Sequence, residues 1–164
     1  MARRLARGET IGTYSIFALL GSGSEGDVYE ALAPDGRHCA VKQLKFSAGD
    51  PGHKPDRERA FRLQKLIGKP SPHVVEILDV FVHDDLVYKA MELITGRTLE
   101  ERLATETRLS PDEMAPIVRD ILTGLDWLHG EDIVHRDIKP SNVVLVDGSS
   151  GVVAVIVDLG IALD

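Results

Sequence analysis

Cysteine is almost missing from this chain. Cys39 stands alone, so no internal disulfide can form, and a single thiol fits a reducing cytoplasm. Excess positive charge is missing too. The 19 Lys and Arg stand against 26 Asp and Glu, a formal net charge of −7, which argues against nucleic acid as a partner. No long hydrophobic run exists: the longest, VVAVIV at 152–157, has six residues, far short of the ~20 that cross a bilayer as a helix. The opening MARRLARG lacks the apolar stretch of a signal peptide and reads as a frayed basic tail over 1–10. Internal repeats and low-complexity tracts are absent as well. What remains is 43% hydrophobic and 27% charged over 164 residues, the composition of a chain that folds, in a length for one domain or two small lobes.

Residues 11–46 are apolar and β-branched stretches cut by a glycine-rich turn and by APDGR, whose Asp-Gly signals a hairpin. A loop of turn formers, SAGDPGHKP, leads to a helical pattern over 56–68, with Ala60, Leu63 and Ile67 on one face. Residues 73–94 read as two strands around His83-Asp84-Asp85. TLEE at 98–101 is a capping box that opens a short helix. The strongest helix covers 110–131: Ser110 and Glu113 form a second capping box around Pro111, and Met114, Ile117, Val118, Ile121, Leu125 and Leu128 keep the helical rhythm. Pro116 deletes one backbone donor inside it. A loop (132–142), a strand (143–146), the turn DGSSG and a strand (152–157) follow. The change from β-rich to helical falls near Ile94-Thr95-Gly96, dividing the chain into 11–94 and 95–164.

Three segments carry chemistry. LGSGSEGDVY spaces Gly21, Gly23 and Gly26 as G-x-G-x-x-G, which lets backbone N–H groups approach phosphate oxygens; a glycine-rich hairpin of no further purpose gives the same pattern. A strand, and not a helix, follows it, which suits a flap between two strands over phosphates better than a dinucleotide fold. In HCAVKQL, Lys42 sits in an apolar alternating strand and shares a face with Ala40. It is either an edge-strand gatekeeper or a cation kept for a buried anion. IVHRDIKPSNVVL crowds His135, Arg136, Asp137, Lys139 and Asn142 into one loop. A carboxylate there can orient a hydroxyl and an amide five residues on can hold a metal, while a solvated turn is the plain reading.

Together these motifs resemble the protein kinase family. The glycine flap, AVK, HRDIKPSN and DLG occur in that family's order, and the resemblance runs from about Ile11 to Asp164. HRDIKPSN, with Lys139 two residues after Asp137, is similar to the serine/threonine branch, the Hanks type, and the flap region looks bacterial. The resemblance implies an α+β, kinase-like fold: a complete N-lobe of five-stranded antiparallel sheet plus one helix, then the first part of a helical C-lobe. It implies ATP and Mg²⁺ as cofactors and a protein with Ser or Thr hydroxyls as substrate. Gly21, Ser22, Gly23, Ser24 and Gly26 would cover the phosphates, and Val28 and Ala40 would sit on the adenine. Lys42 would hold the α/β-phosphates, Met91 would be the gatekeeper, and the Glu92 carbonyl and Ile94 amide would bond the adenine edge. Asp137 would orient the hydroxyl, Lys139 would meet the γ-phosphate, and Asn142 and Asp158 would bind Mg²⁺.

The pattern departs from the family in places. The glutamate that pairs with the strand lysine falls by spacing on Arg59, with Glu58 the nearest candidate. Leu159 replaces the usual Phe after Asp158. The chain stops just after Asp158-Leu159-Gly160, before the activation segment and the substrate-holding helices. The apolar side of helix 110–130 is then expected to meet water, a partner or a missing segment. Weak or absent peptide phosphorylation is expected of the chain by itself, and a nucleotide-binding pseudokinase-like module or an inactive remnant is the alternative.

Overall fold

The computed structural model describes residues 3–106, 108–149 and 151–159. Two compact units emerge. The first takes the described residues up to Gly68 and Glu76–Leu93, and the second takes Lys69–Val75 and the described residues from Ile94 to Leu159.

The first unit is one antiparallel sheet with a helix. Its strands are β1 (Thr10–Ile11), β2 (Tyr14–Ser22), β3 (Gly26–Leu32), β4 (His38–Ser47), β5 (Ile77–His83) and β6 (Leu86–Glu92), in the order β1-β2-β3-β4-β6-β5. The five long strands match the expectation; β1 is an added edge, paired to β2 through Ile11 and Tyr14. Strand alternation divides the sheet into two faces. Tyr29, Ala31, Cys39, Val41, Tyr88 and Ala90 build a core with Ile11, Tyr14 and Ile16. There the Tyr14, Phe81 and Tyr88 rings stack at 5.4 Å between neighbours. The intervening residues, Val28, Ala40, Lys42, Lys89 and Met91, therefore share the opposite face. The β5–β6 hairpin turns through Asp84 and Asp85, both at positive φ (46° and 62°), the twist a two-residue hairpin needs.

Two expectations for this unit are corrected. The basic N-terminal segment is not frayed: Leu5 packs on the core, its N–H donates to the Tyr29 hydroxyl at 3.1 Å, and Gly8 and Glu9 exchange backbone bonds with Ile16. The helical stretch is shorter than 56–68 and begins earlier. A 3₁₀ turn at Pro51–His53 runs into α1 (Lys54–Arg62), and a second 3₁₀ turn covers Leu63–Leu66.

The second unit holds β7 (Arg97–Thr98), α2 (Leu99–Thr105), α3 (Pro111–Gly130), β8 (Val143–Gly148) and β9 (Gly151–Ile156). Both expected capping boxes form, Thr98 with Glu101 on α2 and Ser110 with Glu113 on α3, satisfying N–H groups that a helix start leaves without partners. Helix α3 continues through Pro116. It packs Ile117, with Met114 and Ile121, on Leu99, Val143, Leu145 and Ala154. At Gly124 a Cβ would stand 2.7 Å from the His73 carbonyl oxygen, so the helix meets Lys69–Val75 at backbone distance. That stretch, expected with the first part of the chain, is bound here through Val75 N–H to Ile156 O and Ile156 N–H to His73 O, both 2.9 Å. Elsewhere on α3 apolar side chains do face outward, with Leu122 61% exposed.

Candidate functional site

The flap is built by β2 and β3. The Gly23 N–H donates to Gly26 O at 2.8 Å and closes its tip, and register shifts in β2 between Ile16 and Ala18 and between Leu19 and Gly21 twist it. Its glycines serve different ends. A Cβ on Gly26 would lie 2.1 Å from Gln43 O, so Gly26 lets β3 close on β4. At Gly21 nothing stands within 4 Å, and at Gly23 only Gly26 O does, at 3.7 Å. Backbone there is open to a ligand's approach, and Ser22 and Ser24 beside it are exposed. Val28 lies opposite Lys42 in the β3–β4 register. Ala40 lies opposite Met91 and Cys39 opposite Glu92 in the β4–β6 register. Ala40 and Met91 are buried, Glu92 is exposed and its N–H donates to Glu76 O. Ile94 opens the second unit and is half-buried.

Lys42 is only 4% exposed, so the edge-gatekeeper reading fails: the residue sits on an inner strand between β3 and β6. Its Nζ lies 2.7 Å from the Glu25 carboxylate, at the tip of the flap. Glu58 does not occupy that place. It is exposed on α1, where its ion partner is Lys54 at 3.9 Å. The helical period explains the error: α1 turns Asp56 and Ala60 inward, and a residue two positions from Asp56 points about 200° away. The inward carboxylate, Asp56, is held by His53 at 3.0 Å and Arg59 at 3.6 Å. Glu25 and Lys89 are what sequence reading missed. Lys89 is 1% exposed and directly opposite Lys42. Its signal was the one that singled out Lys42, a lysine in an apolar strand.

In the second unit the loop between α3 and β8 folds around His135, which is buried. Its Nε2 lies 3.2 Å from Val157 O, and its Nδ1 accepts the Asp137 N–H at 3.3 Å, a pairing that suits the tautomer protonated on Nε2. The Val157 N–H donates in turn to Asn142 O at 2.9 Å. The loop and the corner that carries Asp158 are thus one bonded frame. Arg136 and Asp158 hold positive φ, 67° and 55°, uncommon for residues with a side chain and concentrated at functional sites. The Asn142 amide nitrogen donates to the Asp137 carboxylate at 2.9 Å and to its carbonyl at 2.8 Å. Lys139 Nζ stands 2.7 Å from Asp137 Oδ2. The Lys139 hydrogen bond, with the Asn142 amide adding to it, holds the Asp137 carboxyl below its ordinary range against the opposing effect of burial. Leu159 is buried; Gly160 and the residues after it lie outside the described residues.

Each unit by itself carries groups of the kind that a magnesium nucleotide engages. The flap offers backbone with open space at Gly21, and β4 offers a buried ammonium; both suit phosphates. Among the described residues no three His, Cys, Asp or Glu side chains cluster as a metal site. Mg²⁺ in phosphoryl-transfer sites typically takes one or two protein oxygens plus phosphate and water, a number that the side chains of Asn142 and Asp158 could supply.

Residues 14–164 match the protein kinase domain family, and the chain belongs to it. It is 35% identical over 136 residues to the serine/threonine-protein kinase PkaB of Streptomyces coelicolor, covering 80% of this chain and 31% of the relative. To PrkC of Bacillus subtilis, another serine/threonine-protein kinase, it is 35% identical over 156 residues, covering 92% and 23%. The crystal structure of the PknI kinase domain of Mycobacterium tuberculosis superposes with a TM-score of 0.83 at 29% identity, covering 98% of this chain and 64% of that one. The chain thus spans less than a third of these two curated relatives.

Proposed function

We propose that this chain binds Mg²⁺·ATP and serves the transfer of its γ-phosphoryl group to Ser or Thr hydroxyls of a protein. The observation that carries the reading is the bonded frame of Asp137, Lys139, Asn142 and the Asp158 corner, joined through His135 and Val157. In the first unit the backbone of Gly21 to Gly26, with Ser22 and Ser24, covers phosphates and Lys42 neutralises them. Val28, Ala40 and Met91 form the apolar wall for the base, and Glu92 offers a backbone acceptor to its edge. In the second unit Ile94 offers the matching N–H, and Asn142 and Asp158 take the metal. The metal, when bound, supplies charge neutralisation between the phosphates.

Asp137 is kept ionised by Lys139 and Asn142, so it accepts the substrate hydroxyl's hydrogen bond and aims its oxygen. The low affinity of this carboxylate for protons makes it an orienting group first and a proton acceptor second. Lys139, beside it, places a positive charge where phosphoryl charge develops. The reading places the chain in the cytoplasm, with ATP and a thiol that has no partner for a disulfide; no helix among the described residues is long and apolar enough to cross a membrane.

A second reading, nucleotide binding without transfer, draws on the carboxylate at Lys42 coming from the flap and not from α1. One pair of measurements separates the two: equilibrium binding of Mg²⁺·ATP, and transfer of labelled γ-phosphate to a generic basic protein. Binding with transfer that Asp137→Ala abolishes supports the first reading. Binding alone leaves the second, and no binding sinks both.

A further inference from the structure

We propose that Glu25 is a built-in competitor for the phosphates of the nucleotide: its carboxylate holds the Lys42 ammonium and must give way before a phosphate can take that place. Glu25 then sets the affinity for phosphate-bearing ligands specifically. The inference rests on the nucleotide reading of the flap.

The geometry is that of a real contact. Lys42 Nζ and Glu25 Oε2 are 2.7 Å apart, within the range of charge-assisted bonds. The lysine side chain is 5% exposed and the glutamate 27%, so water screens the pair less than it would at the surface. The flap tip is also fastened down. Lys45 N–H donates to Glu25 O at 3.1 Å, and Lys45 Nζ donates to Gly23 O. Residue 25 is therefore held over β4 with its side chain toward Lys42. Lys89 lies opposite Lys42 on the neighbouring strand β6, away from the flap side of β4.

A carboxylate and a phosphate oxygen ask the same thing of an ammonium. Both are anionic acceptors, and two of them at one ammonium repel each other. Glu25 belongs to the flap, the element whose backbone would cover the phosphates, so it approaches Lys42 from their side. A carboxylate that merely orients the lysine would come from another element and leave that side open. Removing the charge at position 25 should therefore favour phosphate-bearing ligands and leave a phosphate-free nucleoside unaffected.

Titration calorimetry of residues 1–164 with the non-hydrolysable ATP analogue AMP-PNP and Mg²⁺, and separately with adenosine, tests this. Wild type, Glu25→Gln and Glu25→Ala are compared, with thermal melts confirming that each folds. The expected result is AMP-PNP bound about 3- to 10-fold more tightly by Glu25→Gln, adenosine bound equally, and the gain lost when Lys42→Met is added to both backgrounds. Unchanged or weaker AMP-PNP binding by a folded Glu25→Gln, or the same gain for adenosine, overturns the proposal while wild-type binding keeps the nucleotide reading intact. Failure of every folded variant to bind either ligand takes down both.

Discussion

Asp137 shows how the sequence sets a carboxylate's behaviour. Lys139 and Asn142 lie two and five residues on, and the loop brings both to the same carboxylate, holding its pKa below the ordinary carboxylate range. The folded pKa lies below the unfolded one, so the stabilisation is fully present above the unfolded value and is lost as pH falls through the folded value. Asp137→Asn should cost about 0.5–1 kcal/mol at neutral pH, given that Lys139 is half exposed. The deficit should shrink as pH falls below about 4; urea melts across that range check it, and a constant deficit would mean that charge is not the cause. Cys39 behaves oppositely. Burial raises its thiol pKa from 9.0 to about 11, and its Sγ donates to Ala31 O at 3.5 Å within the core. The native thiol should resist iodoacetamide at pH 8, with labelling appearing in step with unfolding. Rapid labelling of the native chain would show that this part of the sheet opens.

At the scale of elements, what is local in sequence was legible. Both capping boxes, the α3 face and the Asp84-Asp85 hairpin follow from residues within four positions of one another. What depends on distant partners was not. The Glu58 assignment missed because the α1 register is fixed by what lies beneath Asp56 and Ala60, and the N-terminal segment looked loose because its anchor, the Tyr29 hydroxyl, is 24 residues away. Glycines carry the same lesson, since sequence spacing alone does not say which one is needed for packing. Gly124→Ala forces a Cβ to 2.7 Å from a backbone oxygen and 2.9 Å from Ile156 Cδ1; it should destabilise the chain by about 1–3 kcal/mol. Gly21→Ala, with nothing within 4 Å, should stay within about 0.5 kcal/mol while crowding the backbone offered to phosphate. Chemical denaturation of the two variants side by side checks the contrast, and equal losses would refute the packing assignment of Gly124.

For the whole molecule, motif order carried the family, because four short motifs in sequence each mark one place in a known fold. Order did not reveal Lys89 opposite Lys42, or Glu25 upon it, because pairing register and flap position are properties of the folded sheet. Binding of the proposed ligand is reported by stability. A ligand that binds the native chain alone adds about 2.7 kcal/mol at 100 times its Kd. With an unfolding entropy of about 2.1 cal/mol/K per residue, that raises the Tm of a 164-residue chain by about 8 °C. Mg²⁺·AMP-PNP should produce such a shift, and EDTA should reduce it sharply. Asp158→Ala should melt near wild type without nucleotide yet lose the metal-dependent part. A shift of the same size with EDTA present, or one retained in Asp158→Ala, would mean that the nucleotide is held by the flap and sheet without the Asp158 corner, and the metal assignment would fall.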